Sequence, residues 1–104
     1  MQELTNASFD EMINSEQLVV VDFWAGWCMP CRLFAPVFEQ LADEFDGKAN
    51  FCKVNTDDYH QIAAKHNIEL IPTVVVFKRG EELERAQGIL QKEQIRQMLE
   101  KASR

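Results

Sequence analysis

Two cysteines three positions apart, in Trp27-Cys28-Met29-Pro30-Cys31, offer either dithiol chemistry or half of a metal site. The run follows an apolar segment, Leu18–Trp24, and leads into a helical pattern, so it reads as a strand-to-helix turn. The first turn of a helix presents unpaired N–H groups and the positive end of its dipole. Both stabilise a thiolate, the attacking form of cysteine. Pro30 suits an early helical position because its missing N–H is not needed there. A three-residue offset brings both sulfurs to one side of the turn, close enough to bridge. The competing chemistry is half of a zinc site. Such a site takes four ligands, commonly including a second close pair, and the other candidates are Cys52, His60 and His66. The gap from Cys31 to His60 is far longer than in a zinc finger, and the His60/His66 spacing is marginal. Dithiol chemistry is the better reading, with no metal.

Asp22 is the second group with chemical potential. It interrupts Val19-Val20-Val21 and Phe23-Trp24 in an otherwise apolar strand. A buried, unpaired carboxylate is expensive and its pKa rises. A carboxyl tuned towards neutral pH is suited to exchanging protons with a thiol. A solvated strand end is the other reading, and the apolar residues after Asp22 count against it. Lys53 could pair with Asp22, but pattern alone favours an ordinary exposed lysine. Cys52 reads as a buried packing thiol, His60 and His66 as surface residues, and Trp24 as a packing residue supporting the motif.

The elements that must position these groups follow from periodicity. Ser8-Phe9-Asp10-Glu11 has the spacing of a capping box and opens a short helix with Phe9, Met12 and Ile13 on one face. Leu18–Trp24 is apolar almost throughout, as in a strand covered on both faces. From about Cys31 to Phe45 the apolar residues Leu33, Phe34, Val37, Phe38, Leu41, Ala42 and Phe45 recur at helical spacing. Pro36 inside that helix predicts a kink, and Gly47 a stop. Asn50–Asn55 is a second central strand, and Asp57 or Asp58 caps a helix running to about His66. Thr73–Phe77 and Leu83–Gln87 form a hairpin through Lys78-Arg79-Gly80-Glu81, whose acidic run Glu81-Glu82-Leu83-Glu84 is mostly solvated. A last helix carries Ile95, Met98, Leu99 and Ala102 on one stripe. With an N-terminal strand the order is βαβαβαββα, an α/β sheet covered on both faces and made mixed by the closing hairpin.

Composition narrows the function classes. The 104 residues fit one domain, and 46% hydrophobic content with only four glycines and three prolines excludes collagen-like and low-complexity chains. Eleven basic against 17 acidic residues, net −6, argue against a nucleic-acid binder and a polybasic membrane anchor. No apolar run approaches the roughly 20 residues that span a bilayer. The first residues lack a basic start and an apolar stretch, so no secretory signal is expected and a cytoplasmic location is the default.

Together the motifs are specific. Asp22-Phe23-Trp24-Ala25, Trp27-Cys28, Pro30-Cys31, Ala35-Pro36, Lys53-Val54-Asn55, Ile71-Pro72-Thr73, Phe77-Lys78, Gly80 and Gly88 stand where the thioredoxin family's pattern has them. Over essentially its whole length the chain resembles that family. The resemblance implies a single thioredoxin domain over residues 1–104, with a five-stranded mixed β-sheet flanked by four helices. It implies Cys28 as nucleophile, Cys31 as resolving thiol and Asp22 as the buried proton acceptor near Cys31. Lys53 would sit by Asp22, and Pro72 would be cis and lie against the disulfide. Trp27, Ile71, Gly88 and Ile89 would form the apolar rim where a target docks, with Met29, Pro30 and Thr73 among the target-binding positions.

The expected activity is reduction of protein disulfides through a reversible Cys28–Cys31 pair, recharged by a thioredoxin reductase and needing no bound cofactor, in a monomer. The rival is a binding or assembly subunit that uses the same rim without turnover. Five positions depart from the family's usual pattern: Met29 where glycine is common, Glu69 and Leu70 where a basic and a small residue are common, polar Gln87, and Gln91, a poor helix cap. None removes a reacting group.

Overall fold

The computed structural model describes residues 1–104. Five strands and four helices alternate: β1 (Gln2–Glu3), α1 (Phe9–Ile13), β2 (Leu18–Trp24), α2 (Met29–Glu44), β3 (Ala49–Asn55), α3 (His60–Lys65), β4 (Thr73–Lys78), β5 (Glu81–Gln87) and α4 (Lys92–Ala102). The sheet order is β1-β3-β2-β4-β5. The first three strands are parallel; β4 runs antiparallel to β2, and β5 runs antiparallel to β4. β2 is thus central, with partners on both edges, which is why it is apolar nearly throughout.

Strand alternation divides the core between two faces. Leu18 and Val20 of β2 pack with Val74, Val76, Phe51 and the inner stripe of α2, Phe34, Phe38 and Leu41. Ile95, Met98 and Leu99 of α4 close the same face. Val19, Val21 and Phe23 point the other way, to Phe9, Ile13 and Ile62. By the same alternation Asp22 lies on the α2 face, at the end of β2 that feeds into α2. Lys53 shares that face through Ala49 and Phe51 on β3, and the register sets it directly beside Asp22.

Several local expectations change. The Ser8 capping box does not form: Ser8 Oγ accepts from the Thr5 N–H at 2.9 Å, a loop bond that wins over the helix cap. Neither Asp57 nor Asp58 caps α3; its N-cap is Tyr59, without a side-chain bond. α2 continues through Pro36 and starts at Met29, two residues earlier than periodicity gives. Leu33 falls outside the buried stripe and is 69% exposed. His66 is half-buried, its ring centred 5.1 Å from that of Phe9 and 5.5 Å from that of Phe77. Burial lowers its pKa, a shift that a fully solvated histidine lacks.

The hairpin turn has Arg79 at φ 54° and Gly80 at φ 80°, the paired left-handed geometry that suits a two-residue connection. Gly80 N–H donates to the Ile13 carbonyl at 2.8 Å, fixing the turn to the end of α1. A Cβ at position 80 would lie 2.5 Å from Asn14 Oδ1. Gly80→Ala is therefore expected to destabilise the fold by about 1–2 kcal/mol. Urea denaturation measures it, and an unchanged midpoint would show that the turn relaxes freely.

Candidate active site

The sheet delivers Cys28 to the rim and α2 turns it. Cys28 is the N-cap of α2, with extended backbone, and Pro30 sits in the first turn. Cys28 Sγ accepts from the Cys31 backbone N–H at 3.3 Å. Any negative charge on that sulfur therefore meets a donor and the positive helix end together. Cys28 and Cys31 form a disulfide, with Cα atoms 5.3 Å apart. Both are nearly inaccessible, at 4% and 2%. Their surroundings differ. Cys28 opens on a groove of about 330 Å³ with Trp27, Met29, Pro30, Glu69, Leu70 and Ile71. Cys31 lies on the inner stripe of α2 and does not reach that groove.

The far wall of the groove is the loop before β4. The Ile71–Pro72 bond is cis. The Ile71 carbonyl lies 3.8 Å from Cys28 Sγ, where the reduced thiol can donate to it. Neither the N–H nor the carbonyl of Ile71 pairs with another backbone group. Thr73, expected among the target-binding positions, is fully buried; its hydroxyl donates to the Leu70 carbonyl and closes the loop instead. Gly88, at φ 90°, donates its N–H to the Pro72 carbonyl at 3.0 Å, which brings the β5–α4 loop and the 87%-exposed Ile89 to the same rim.

Asp22 is wholly buried, and neither carboxylate oxygen meets a protein hydrogen-bond partner. Burial pushes its pKa up to about 7; the Lys53 charge opposes this and Glu3, beside Lys53 across the sheet, reinforces it. Lys53 is half-buried rather than freely exposed. Its ammonium sits 4.7 Å from the centre of the Trp24 ring, and no ion pair with Asp22 forms. Trp24 packs on the Ala25, Cys28 and Cys31 cluster, as a supporting residue should.

Two contributors escaped the sequence reading. Asp57 Oδ1 accepts from the Trp27 indole N–H at 3.2 Å, holding a ring that is 72% exposed. Sequence does not say that the indole of Trp27 meets the carboxylate of Asp57, thirty positions away. Leu33 joins Met29, Pro30, Val37, Ile89 and Leu90 in a second, apolar groove adjoining the first. Cys52 is 1% exposed, and burial raises its thiol to about 11. No group of three or more His, Cys, Asp or Glu side chains is placed to hold a metal ion.

A thiol count checks the pairing. Unfolded under denaturing conditions, the reduced protein should show three reactive thiols and the oxidised protein one, assigned to Cys52 by peptide mapping. Finding Cys52 in the bridge would overturn the assignment.

Comparison with known proteins agrees with this geometry. The family model described as Thioredoxin matches residues 1–101. The chain is 43% identical over 99 residues to a thioredoxin of Staphylococcus saprophyticus, covering 95% of this chain and 94% of that one. It is 41% identical over 100 residues to thioredoxin 1 of a Nostoc species, with the same coverage. The crystal structure of Malassezia sympodialis thioredoxin superposes with a TM-score of 0.91 at 32% identity, over 100% of this chain and 91% of that one.

Proposed function

The chain belongs to the thioredoxin family, and on that premise we propose how its thiol–disulfide oxidoreductase activity runs. Cys28 thiolate attacks a target disulfide, forms a mixed disulfide and expels the target's other sulfur as a thiolate. Asp22 carboxylate takes the proton of Cys31. The Cys31 thiolate then attacks Cys28 and releases the target's second sulfur. Two electrons pass from the dithiol to the target, whose two thiolates take their protons from solvent; the Cys31 proton stays on Asp22, and Cys28–Cys31 remains as the disulfide. A pKa near 7 lets Asp22 accept a proton at neutral pH and return it when the pair is reduced again.

The observation that carries this reading is the groove: the N-cap sulfur faces a loop where the Ile71 N–H and carbonyl pair with no other backbone group. A target can cross there in extended form as an added strand. Trp27, Ile71 and Ile89 supply apolar contact, Met29 and Pro30 extend it, and Gly88 and the cis Pro72 shape the wall. Thr73 acts through the loop. Lys53 tempers the charge on Asp22. A thioredoxin reductase recharges the disulfide, and no bound cofactor takes part. We further propose that residues 1–104 act as one thioredoxin domain, a monomer in the cytoplasm; no helix is long and apolar enough to cross a membrane.

NADPH oxidation in the presence of a thioredoxin reductase and a disulfide-bonded protein tests the cycle. Turnover that requires this chain is expected. Tight binding of the target without NADPH consumption, while dithiothreitol also fails to drive reduction through the chain, would mark a docking subunit instead.

A further inference from the structure

The groove beside Cys28 is lined by a single charged side chain, Glu69, and we infer that Glu69 makes the protein selective for disulfides whose attacked cysteine is flanked by lysine or arginine. The inference rests on the proposed function and adds a substrate class to it.

Glu69 stands two residues before Ile71, on the loop that an extended target would cross. Consecutive strand residues advance about 3.3 Å, so a target side chain within two positions of its cysteine comes alongside Glu69. Asp57, outside the groove lining, holds Trp27 by its indole N–H. Neither carboxylate has a cation within ion-pair distance. The chain's ion pairs engage Asp10, Glu16, Glu44, Glu82, Glu84 and Glu93 instead. The nearest basic residues to the motif do not compensate: Arg32 is exposed and lies outside the groove lining, and the Lys53 ammonium lies over Trp24. A net charge of −6 adds to the negative field.

An isolated surface pair contributes little to stability, yet a rim charge acts strongly on association and on rejection of like-charged partners. Apolar walls strengthen it, and Trp27 and Leu70 are those walls, 72% and 47% exposed and waiting to be covered by a target. A basic flank gains a partner at Glu69. An acidic flank meets Glu69 unshielded.

The test uses three peptide disulfides identical except for lysine, glutamine or glutamate beside the attacked cysteine. The rate read is kcat/KM for reduction by the full chain. Wild type should prefer the lysine peptide over the glutamate peptide by about fivefold at low salt, and the ratio should shrink towards one at about 0.5 M salt. Glu69→Gln should flatten the ratio and Glu69→Lys should reverse it. Equal rates for all three peptides with wild type, the glutamine peptide being turned over, overturn the selectivity and leave the oxidoreductase function standing. An unchanged order in Glu69→Lys also overturns it, since the discrimination would then lie elsewhere. Failure of wild type to reduce any peptide would remove the proposed function and the selectivity together.

Discussion

Cys28→Ser should lower turnover by at least about 1000-fold, to background, whereas Cys31→Ser should halt the cycle one step later with the target covalently attached. The two variants differ because the two sulfurs occupy different surroundings. Cys28 caps α2 and opens on the groove, so its loss removes the only sulfur a target disulfide can reach. Serine at position 31 keeps the backbone N–H that donates to Cys28 Sγ, so the Cys28 thiolate keeps its stabilisation. Attack still proceeds, but nothing resolves the mixed disulfide. Non-reducing electrophoresis after mixing Cys31→Ser with an oxidised target reads out the adduct. An adduct formed through position 31 in Cys28→Ser, with none in Cys31→Ser, would reverse the roles.

The Asp22→Ala variant should be more stable than the natural protein at pH 8, by about 3 kcal/mol, and slower in reduction by about tenfold or more. The carboxyl has a folded pKa of about 7 against 3.8 when unfolded. Below pH 4 both states hold the proton, and burial of the neutral acid costs little charge energy. Between pH 4 and 7 only the folded state holds it, so natural-protein stability falls as pH rises. Above pH 7 both states are ionised and the loss is complete. A difference of roughly three pKa units corresponds to about 4 kcal/mol, from which the void left by alanine subtracts about 1 kcal/mol. Chemical denaturation from pH 4 to 8 should show the stability gap opening across that window. A gap that is flat with pH would mean that Asp22 is ionised throughout and compensated. The slower chemistry has the same origin, because the group that weakens the fold is the one proposed to take the Cys31 proton.

Lys53 shows where pattern and placement part. The parallel register makes it the neighbour of Asp22, yet its ammonium reaches the Trp24 face instead of the carboxylate. A long side chain chooses among partners that only the assembled sheet presents. The same applies to Ser8 and Asp57, each of a type suited to a helix cap. Both find better partners, in the Thr5 N–H and the Trp27 indole. Leu33 and His66 exchanged expectations for the same reason. Helical spacing marks an apolar stripe but not its angular edge, and Leu33 lies beyond it. A lone histidine reads as surface until two phenylalanines from α1 and β4 close on it.

Whatever rests on local chemistry and period was legible in the residues alone. Apolar runs of strand length, the long amphipathic helix and the turn residues dictated the order of elements, because each depends on neighbours within a few positions. The cysteine spacing after a strand dictated a dithiol at a helix start, since the first turn carries its own donors and dipole. An acid inside the β2 run dictated a perturbed carboxyl. Pairings between residues distant in sequence came only with the folded chain: that Ile71 faces Cys28 across a groove, that Gly88 ties the rim together through the Pro72 carbonyl, and that the Asp22 carboxylate meets no protein hydrogen-bond partner. Those contacts span many residues, and only the closed sheet brings their ends together, so no local pattern encodes which partner each polar group meets.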